Sequence, residues 1–251
     1  MLKRDELIRY ERQLLIESWG TDTQLRLKES KVFVAGVGGL GSPVLLYLAL
    51  AGIGTITFCD FDTVSLSNLN RQILYAEKDI GMKKVISAQE TLNGANQNVA
   101  LNPLSEKLTK RNVERLIGTV DLIIDCLDNF STRHILNEYS VRRGIPMIHA
   151  GISEFHGQLA FFHPPKTACL SCFYPFKPKK ETVPIVGATA GVIGSLQALE
   201  AIKYLTGIGE PLMNKLLFWD GRDMSFEMIN LQKNESCRVC GSLLPPEEQE
   251  G

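Results

Sequence analysis

The chain carries almost no net charge, −1 over 251 residues. Bulk electrostatics therefore give no reason to expect a nucleic acid or a membrane surface as partner. No apolar run approaches the ~18 residues that a membrane-spanning helix requires. The first residues, MLKRDELIRYERQ, are charged and lack the apolar core of a secretory leader, so the expected location is the cytoplasm. Six cysteines are too few for a disulfide scaffold at this length. No segment repeats another. What remains is a chain with 44% apolar residues, enough for one large α/β domain with its own core.

The most informative stretch runs from Lys31 to Asp62, KVFVAGVGGLGSPVLLYLALAGIGTITFCDFD. It reads as strand, glycine turn, helix, strand and acidic end. Gly36, Gly38 and Gly41 form G-x-G-x-x-G, with Gly39 as an extra glycine. Such a turn admits tight backbone geometry and lets a phosphate approach the N-terminus of the following helix. Asp60 stands about 20 residues on, where an acidic residue meets a ribose hydroxyl. The motif points to a nucleotide and does not by itself separate NAD from ATP.

The rest of the pattern places that unit in a larger sheet. Residues 3–29 have helical spacing, with Leu7, Tyr10, Leu14 and Leu15 on one face, and read as an N-terminal helical arm over residues 1–30. A polar loop from Thr63 to Tyr75 precedes a helix near Lys83 to Gly94. Strands are predicted at Val99 to Leu104, Val120 to Asp125 and Pro146 to Ala150, with helices at Arg111 to Ile117 and Ser131 to Arg143. After Gly151 the pattern changes. An antiparallel strand at Gly157 to His163 leads to a loop, 164–186, that holds five of the eleven prolines. A small-residue helix, Gly187 to Leu205, and strands near Lys215 to Trp219 and Ser225 to Ile229 complete the domain. The expected fold is a Rossmann-like mixed α/β sheet, parallel in its first half and antiparallel in its second, with helices on both faces and residues 31–244 in one domain. Residues 245–251, within PPEEQEG, read as a disordered tail.

Two groups of residues carry chemistry. Cys169 and Cys172 form one C-x-x-C and Cys237 and Cys240 another; together they suit a tetrahedral four-thiolate zinc site stapling the crossing loop to the C-terminal segment. That reading is favoured over a redox C-x-x-C or unrelated buried thiols. Cys59 and Cys126, at strand ends, read as core residues. The second group is Asp60, Asp62, Asn68, Arg71, Lys84, Asp125 and Asp128. Acids on one sheet edge beside a glycine turn suit ribose and Mg2+, and Arg71 with Lys84 suits polyphosphate. Hydride transfer needs no such set, whereas nucleotidyl transfer does, because charge develops as pyrophosphate leaves. An NAD-dependent oxidoreductase and a non-catalytic scaffold are the rival readings.

With these residues in view, the chain resembles the E1-like adenylyltransferases, the ThiF/MoeB/HesA group. The resemblance rests on RYERQ, GVGGLGS, DFDTVSLSNLNRQ, GMKKV, DCLDN, the paired C-x-x-C and GVIGSLQALEAIKYLTG, and covers nearly the whole chain. It implies an ATP- and Mg2+-dependent adenylyltransferase, typically a homodimer. Such an enzyme forms an acyl-adenylate on the C-terminal glycine of a ubiquitin-like sulfur-carrier protein. The resemblance implies Gly38, Gly39 and Asp60 at the nucleotide, with Asn68, Arg71 and Lys84 on phosphates and Asp128 on magnesium; the glycine motif and the acidic strand end add Gly36, Gly41 and Asp62 to the nucleotide site. Arg12, in RYERQ, would reach the ATP of a partner protomer.

One departure sets this chain apart. Sulfur-transferring members of that group often carry a cysteine in the crossing loop, and the corresponding position here falls at or beside Lys180, in KPKKETVPIVG. No cysteine lies between Cys172 and Cys237. The expected reaction therefore stops at the acyl-adenylate, without an enzyme thioester. The alternative acceptor is a small-molecule carboxylate in cofactor biosynthesis, such as the pyridinol precursor of an iron–guanylylpyridinol cofactor.

Overall fold

Three short helices, α1 (Arg4–Arg9), α2 (Glu11–Leu14) and α3 (Gly20–Glu29), open the chain where the spacing predicts one. Of the four residues expected to share a face, Tyr10 is buried, Leu14 is half-buried, and Leu7 and Leu15 are exposed. The helix breaks at Tyr10, and the break has a cause. The ring is drawn in against Gly52, where a Cβ would lie 2.6 Å from it. Its hydroxyl accepts a hydrogen bond from Asn96 Nδ2 at 3.0 Å. These are features of a computed structural model that describes residues 1–175 and 183–242. The tail over residues 245–251 and the lysines Lys177, Lys179 and Lys180 lie outside the described residues.

Next come β1 (Lys31–Ala35), α4 (Gly41–Ala51), β2 (Thr55–Cys59), α5 (Lys84–Ala95), β3 (Ala100–Leu104), α6 (Val113–Ile117), β4 (Leu122–Asp125), α7 (Phe130–Arg143) and β5 (Met147–Ser153). The five strands are parallel, in the order β3-β2-β1-β4-β5. β6 (His156–Phe162), β7 (Lys215–Asp220) and β8 (Ser225–Asn230) extend the sheet antiparallel. The expected mixed sheet is thus present, with eight strands among the described residues.

Both faces of the central strands are covered, which is why these strands are apolar without alternation, whereas β8 at the edge is exposed. Val32 and Val34 of β1 face a core shared with α3, α4, α5 and α9 (Gly187–Thr206), while Phe33 and Ala35 face a second core with α6, α7 and α8 (Leu170–Phe173). The four-residue α8 lies inside the stretch expected to be loop and is the turn of the first C-x-x-C. The chain returns past the β5–β6 hairpin, where Glu154 N–H donates to the Pro184 carbonyl at 2.6 Å, and enters α9.

Strand order turns back between β1 and β4, which places the switch point of the sheet, and the crevice that follows from it, at their carboxyl ends. The glycines are explained by what surrounds them. A Cβ on Gly36 would lie 2.6 Å from the Cys126 carbonyl oxygen, and one on Gly41 would lie 2.1 Å from the Gly36 carbonyl oxygen. Gly94, in α5, has nothing within 4 Å of such a Cβ. Gly41→Ala should therefore destabilise the protein by about 1–3 kcal/mol. Gly94→Ala should stabilise it by about 0.5–1 kcal/mol. Urea unfolding of the two variants beside the parent checks both signs.

Candidate functional site

The glycine turn is built against the acidic end of β2. Val37 N–H donates to Asp60 Oδ2 at 2.9 Å, and Asp62 N–H donates to Asp60 Oδ1 at 2.9 Å. Tyr75 Oη donates to the Val37 carbonyl at 2.7 Å. The turn ends where α4 begins; there Ser42 N–H already donates to the Gly38 carbonyl at 2.9 Å and residue 43 is proline, so the donors an anion could meet are the N–H groups of the glycine turn over residues 38–41, with the Asp60 carboxylate beside them.

Cations stand beside it. Lys84 opens α5, is buried, and places Nζ 3.0 Å from Asp62 Oδ2. Arg71 donates to the Ser67 carbonyl and to Asn70 Oδ1, both at 2.8 Å, and its Cγ lies 3.6 Å from where Gly39 would carry a Cβ. Asn68 closes a short 3-10 turn by accepting from Ser65 N–H at 3.2 Å. The N-terminus of α9 presses on the same loop. A Cβ on Gly187 would lie 2.2 Å from the Asn70 carbonyl oxygen.

On the other side of the crevice, the turn after β4 carries Asp128. Its carboxylate is exposed and accepts from Asn129 Nδ2 at 3.3 Å. Asn129 caps α7 by accepting from Thr132 N–H at 2.9 Å. Asp125 is another matter. It is fully buried and is bonded to His149 Nδ1 at 2.7 Å, with Arg133 Nε 3.5 Å away. Burial pushes its carboxyl up, but the Arg133 charge and the His149 bond more than offset this and hold it below the usual range. Burial likewise holds His149 below the usual imidazole value. Asp125 thus supports the site from behind. Neither Arg133 nor His149 belongs to a motif that spacing along the chain singles out. The available signal was a histidine inside the apolar strand PMIHA and an arginine five residues beyond Asp128.

The structure brings Gly36, Gly38, Gly39, Gly41, Asp60, Asp62, Asn68, Arg71 and Lys84 together at the carboxyl ends of β1 and β2, with Asp128 in the turn after the neighbouring β4, and leaves Arg12 apart from them. Arg12 is exposed on α2, whose Gln13 donates to the carbonyl of Ala51, the last residue of α4. The glycine turn is at the opposite end of that 11-residue helix, roughly 16 Å away at 1.5 Å per residue.

The four cysteines of the paired motifs do meet. Cys169 and Cys172 sulfurs are 3.9 Å apart, Cys169 and Cys237 3.8 Å, and Cys172 and Cys240 3.4 Å. Four thiolates at ~2.3 Å from a tetrahedral zinc would be ~3.8 Å apart. Free of metal, burial pushes the Cys169 thiol up to about 12 and that of Cys240 higher still. Burial also raises Cys237, but the N–H groups of Cys240 and Val239 outweigh it and its thiol moves down. Four soft ligands in so small a volume fit a thiophilic cation. The two remaining thiols are not poised. Burial pushes Cys59 up to about 11 and Cys126 well above its usual value.

Known proteins resemble this chain over nearly its whole length. The chain is 39% identical over 249 residues to a sulfur carrier protein adenylyltransferase of Thermus thermophilus, covering 95% of this chain and 92% of that one. It is 38% identical to the SAMP-activating enzyme E1 of Haloferax volcanii, covering 96% and 91%. Among solved structures, E. coli MccB bound to MccA-N7isoASN superposes with a TM-score of 0.85 at 26% identity, covering 94% of this chain and 74% of that one. No helix among the described residues is long and apolar enough to cross a membrane. The pattern of the ThiF family matches residues 10–239, and the chain belongs to that family and is an adenylyltransferase.

Proposed function

We propose that the protein uses MgATP to activate the C-terminal glycine of a ubiquitin-like sulfur-carrier protein as an acyl-adenylate. The observation that carries this reading is the meeting of a glycine turn, two cations and Asp128 at the switch point of the sheet. The names of the relatives favour a protein carrier over a small carboxylate as acceptor.

In this reading a carboxylate oxygen of the acceptor attacks the α-phosphorus and pyrophosphate departs with the electron pair of the bond that breaks. The glycine turn and the start of α4 receive phosphate oxygens, and Asp60 exchanges its bonds within the turn for the ribose. Asn68, Arg71 and Lys84 offset the charge that grows on the leaving pyrophosphate. Asp128, an exposed hard-oxygen donor, suits Mg2+, which supplies charge neutralisation when bound. Lys84 Nζ lies 3.0 Å from Asp62 Oδ2, so binding would exchange that carboxylate for phosphate.

Arg12 completes the site from a second copy of the chain. Its place beyond the far end of α4 keeps it from its own crevice, while a twofold dimer would bring each Arg12 to its partner's crevice. Zinc in the four-cysteine cluster would tie α8 to the C-terminal segment. It would staple one root of the crossing segment without taking part in the chemistry.

Pyrophosphate exchange should depend on a carrier ending in Gly-Gly and vanish when that tail is removed. Dependence on a small carboxylate instead would overturn the choice of acceptor. Asp128→Ala should lower exchange by about a hundredfold, the usual effect of losing one transition-state contact.

Arg12→Ala and Lys84→Ala should each be inactive alone. Mixed and reassorted, they should recover about a quarter of parental activity, since half the dimers are hybrid and one site in each hybrid is intact. No recovery, with hybrids shown to form, would return Arg12 to its own chain.

Mass spectrometry gives a further check. Under native conditions it should read about one zinc per chain, lost in Cys240→Ser. Under denaturing conditions, after reaction with the carrier, it should show carrier adenylate and no covalent adduct. A reducible adduct would disprove adenylation without a thioester.

A further inference from the structure

The turn that delivers Asp128 is held on several sides by buried groups. Gln197 Nε2, on α9, donates to the Asp125 carbonyl at 3.0 Å. Cys126 N–H donates to the Ala35 carbonyl at 2.9 Å, which ties the turn to β1. Leu127 N–H donates to Asp125 Oδ1 at 3.0 Å. Arg133 Nη2 donates to the Leu127 carbonyl and, at 2.9 Å, to the Ala150 carbonyl of β5. The Leu127 carbonyl belongs to the peptide plane from which Asp128 springs. Arg133 Nε in turn faces Asp125 Oδ2 at 3.5 Å, the oxygen that also receives His149 Nδ1.

Stability alone does not account for these charges. Removing an arginine and a carboxylate from water costs several kcal/mol per ion, and apolar residues of like volume commonly do as well or better. An apolar side chain cannot hold two carbonyl groups and a carboxylate in fixed relation, however. Lysine, with one compact ammonium in place of a planar fork, cannot do so either. Arg133 is 6% exposed and its ring neighbour Phe130 lies under the guanidinium at 5.1 Å, so it is placed to orient the turn and not to touch a substrate.

We infer that Arg133, fixed by Asp125, is a positioning residue for Asp128: it sets the Leu127–Asp128 peptide plane and so aims the Asp128 carboxylate at the metal of the metal–nucleotide complex. This rests on the reading of Asp128 given above.

The test measures metal binding directly. Mn2+ affinity is read by electron paramagnetic resonance in the presence of a non-hydrolysable ATP analogue, beside the Mg2+ concentration needed for half-maximal pyrophosphate exchange. Arg133→Lys should keep its fold by circular dichroism, weaken Mn2+ binding about tenfold or more, and raise the Mg2+ requirement in parallel. Nucleotide affinity measured without metal should stay within about twofold of the parent, since the glycine turn is untouched. A merely structural role would lower thermal stability and leave the metal affinity of the folded fraction alone. Should Arg133→Lys not fold, Asp125→Asn keeps the side-chain shape and the bond to Leu127 N–H while loosening Arg133, and should shift Mn2+ affinity in the same direction. Unchanged Mn2+ affinity in whichever variant folds overturns the inference, and so does failure of both to fold. Asp128→Ala separates the two claims. If it binds the Mn2+–nucleotide complex like the parent, the reading of Asp128 itself falls. If Asp128→Ala loses the metal and Arg133→Lys does not, the positioning role alone is wrong.

Discussion

The contact on which the crevice depends is a steric one, between the glycine turn after β1 and the turn after β4. Their backbones approach so closely that a single methyl on Gly36 would meet the Cys126 carbonyl oxygen at 2.6 Å. Parallel strands in the order β3-β2-β1-β4-β5 bring those two turns to the same edge, and only there does the strand order reverse. The approach has a chemical consequence. It brings the glycine turn against the turn that carries Asp128, which is the arrangement the proposed MgATP site relies on.

Around that contact, side chains with similar sequence signals have separated into two roles. Asp60, Asp62 and Asp128 lie where water reaches them, and their bonds are to neighbours that a ligand can replace. Asp125 ends the same strand edge but is enclosed between α7, β5 and the sheet. The difference comes from register. Residue 125 is still in β4, paired with Ala35 and His149, so its side chain points into a packed face. Three residues later the strand has ended and Asp128 is free of the sheet. A carboxylate enclosed in this way must find compensating charge, and Arg133 from α7 supplies it.

That separation also marks what the sequence makes legible. Strand and helix types follow from runs such as VFVA and LIID, whose continuous apolarity signals burial on both faces, and from glycine punctuation. The mixed topology follows from the change after Gly151. The C-x-x-C pairs announce a cluster even though 64 residues intervene, because ligand type narrows the chemistry. The arm was less legible: helical spacing joins Leu7, Tyr10, Leu14 and Leu15, but a tertiary demand, Tyr10 fitting against Gly52 and Asn96, breaks the helix and turns Leu7 and Leu15 outward. Arg133, His149 and Gln197 were illegible for a similar reason. Each takes its meaning from a partner on another element, and no spacing along the chain encodes a carbonyl that becomes available only when β4, β5, α7 and α9 have packed.

The distribution of thiols bears on how far the reaction can go within this one chain. A thioester requires an accessible sulfur with appreciable thiolate character near the adenylate. Cys126 is near in sequence to Asp128, but it is enclosed, donates to Gln197 Oε1 at 3.6 Å, and sits beside the Asp125 charge, so both burial and electrostatics oppose its ionisation. Cys59 donates to the Glu106 carbonyl behind β2 and is raised by burial and by Asp60. In the cluster of Cys169, Cys172, Cys237 and Cys240, burial raises the Cys169 and Cys240 thiols and Cys237 moves down, so a full set of thiolates there depends on a cation, and a tetrahedral one would take a lone pair from each. Each thiol is thus either packed and hard to ionise or gathered in the four-cysteine cluster, and this is the ground for proposing that the activated glycine is passed on without an enzyme thioester.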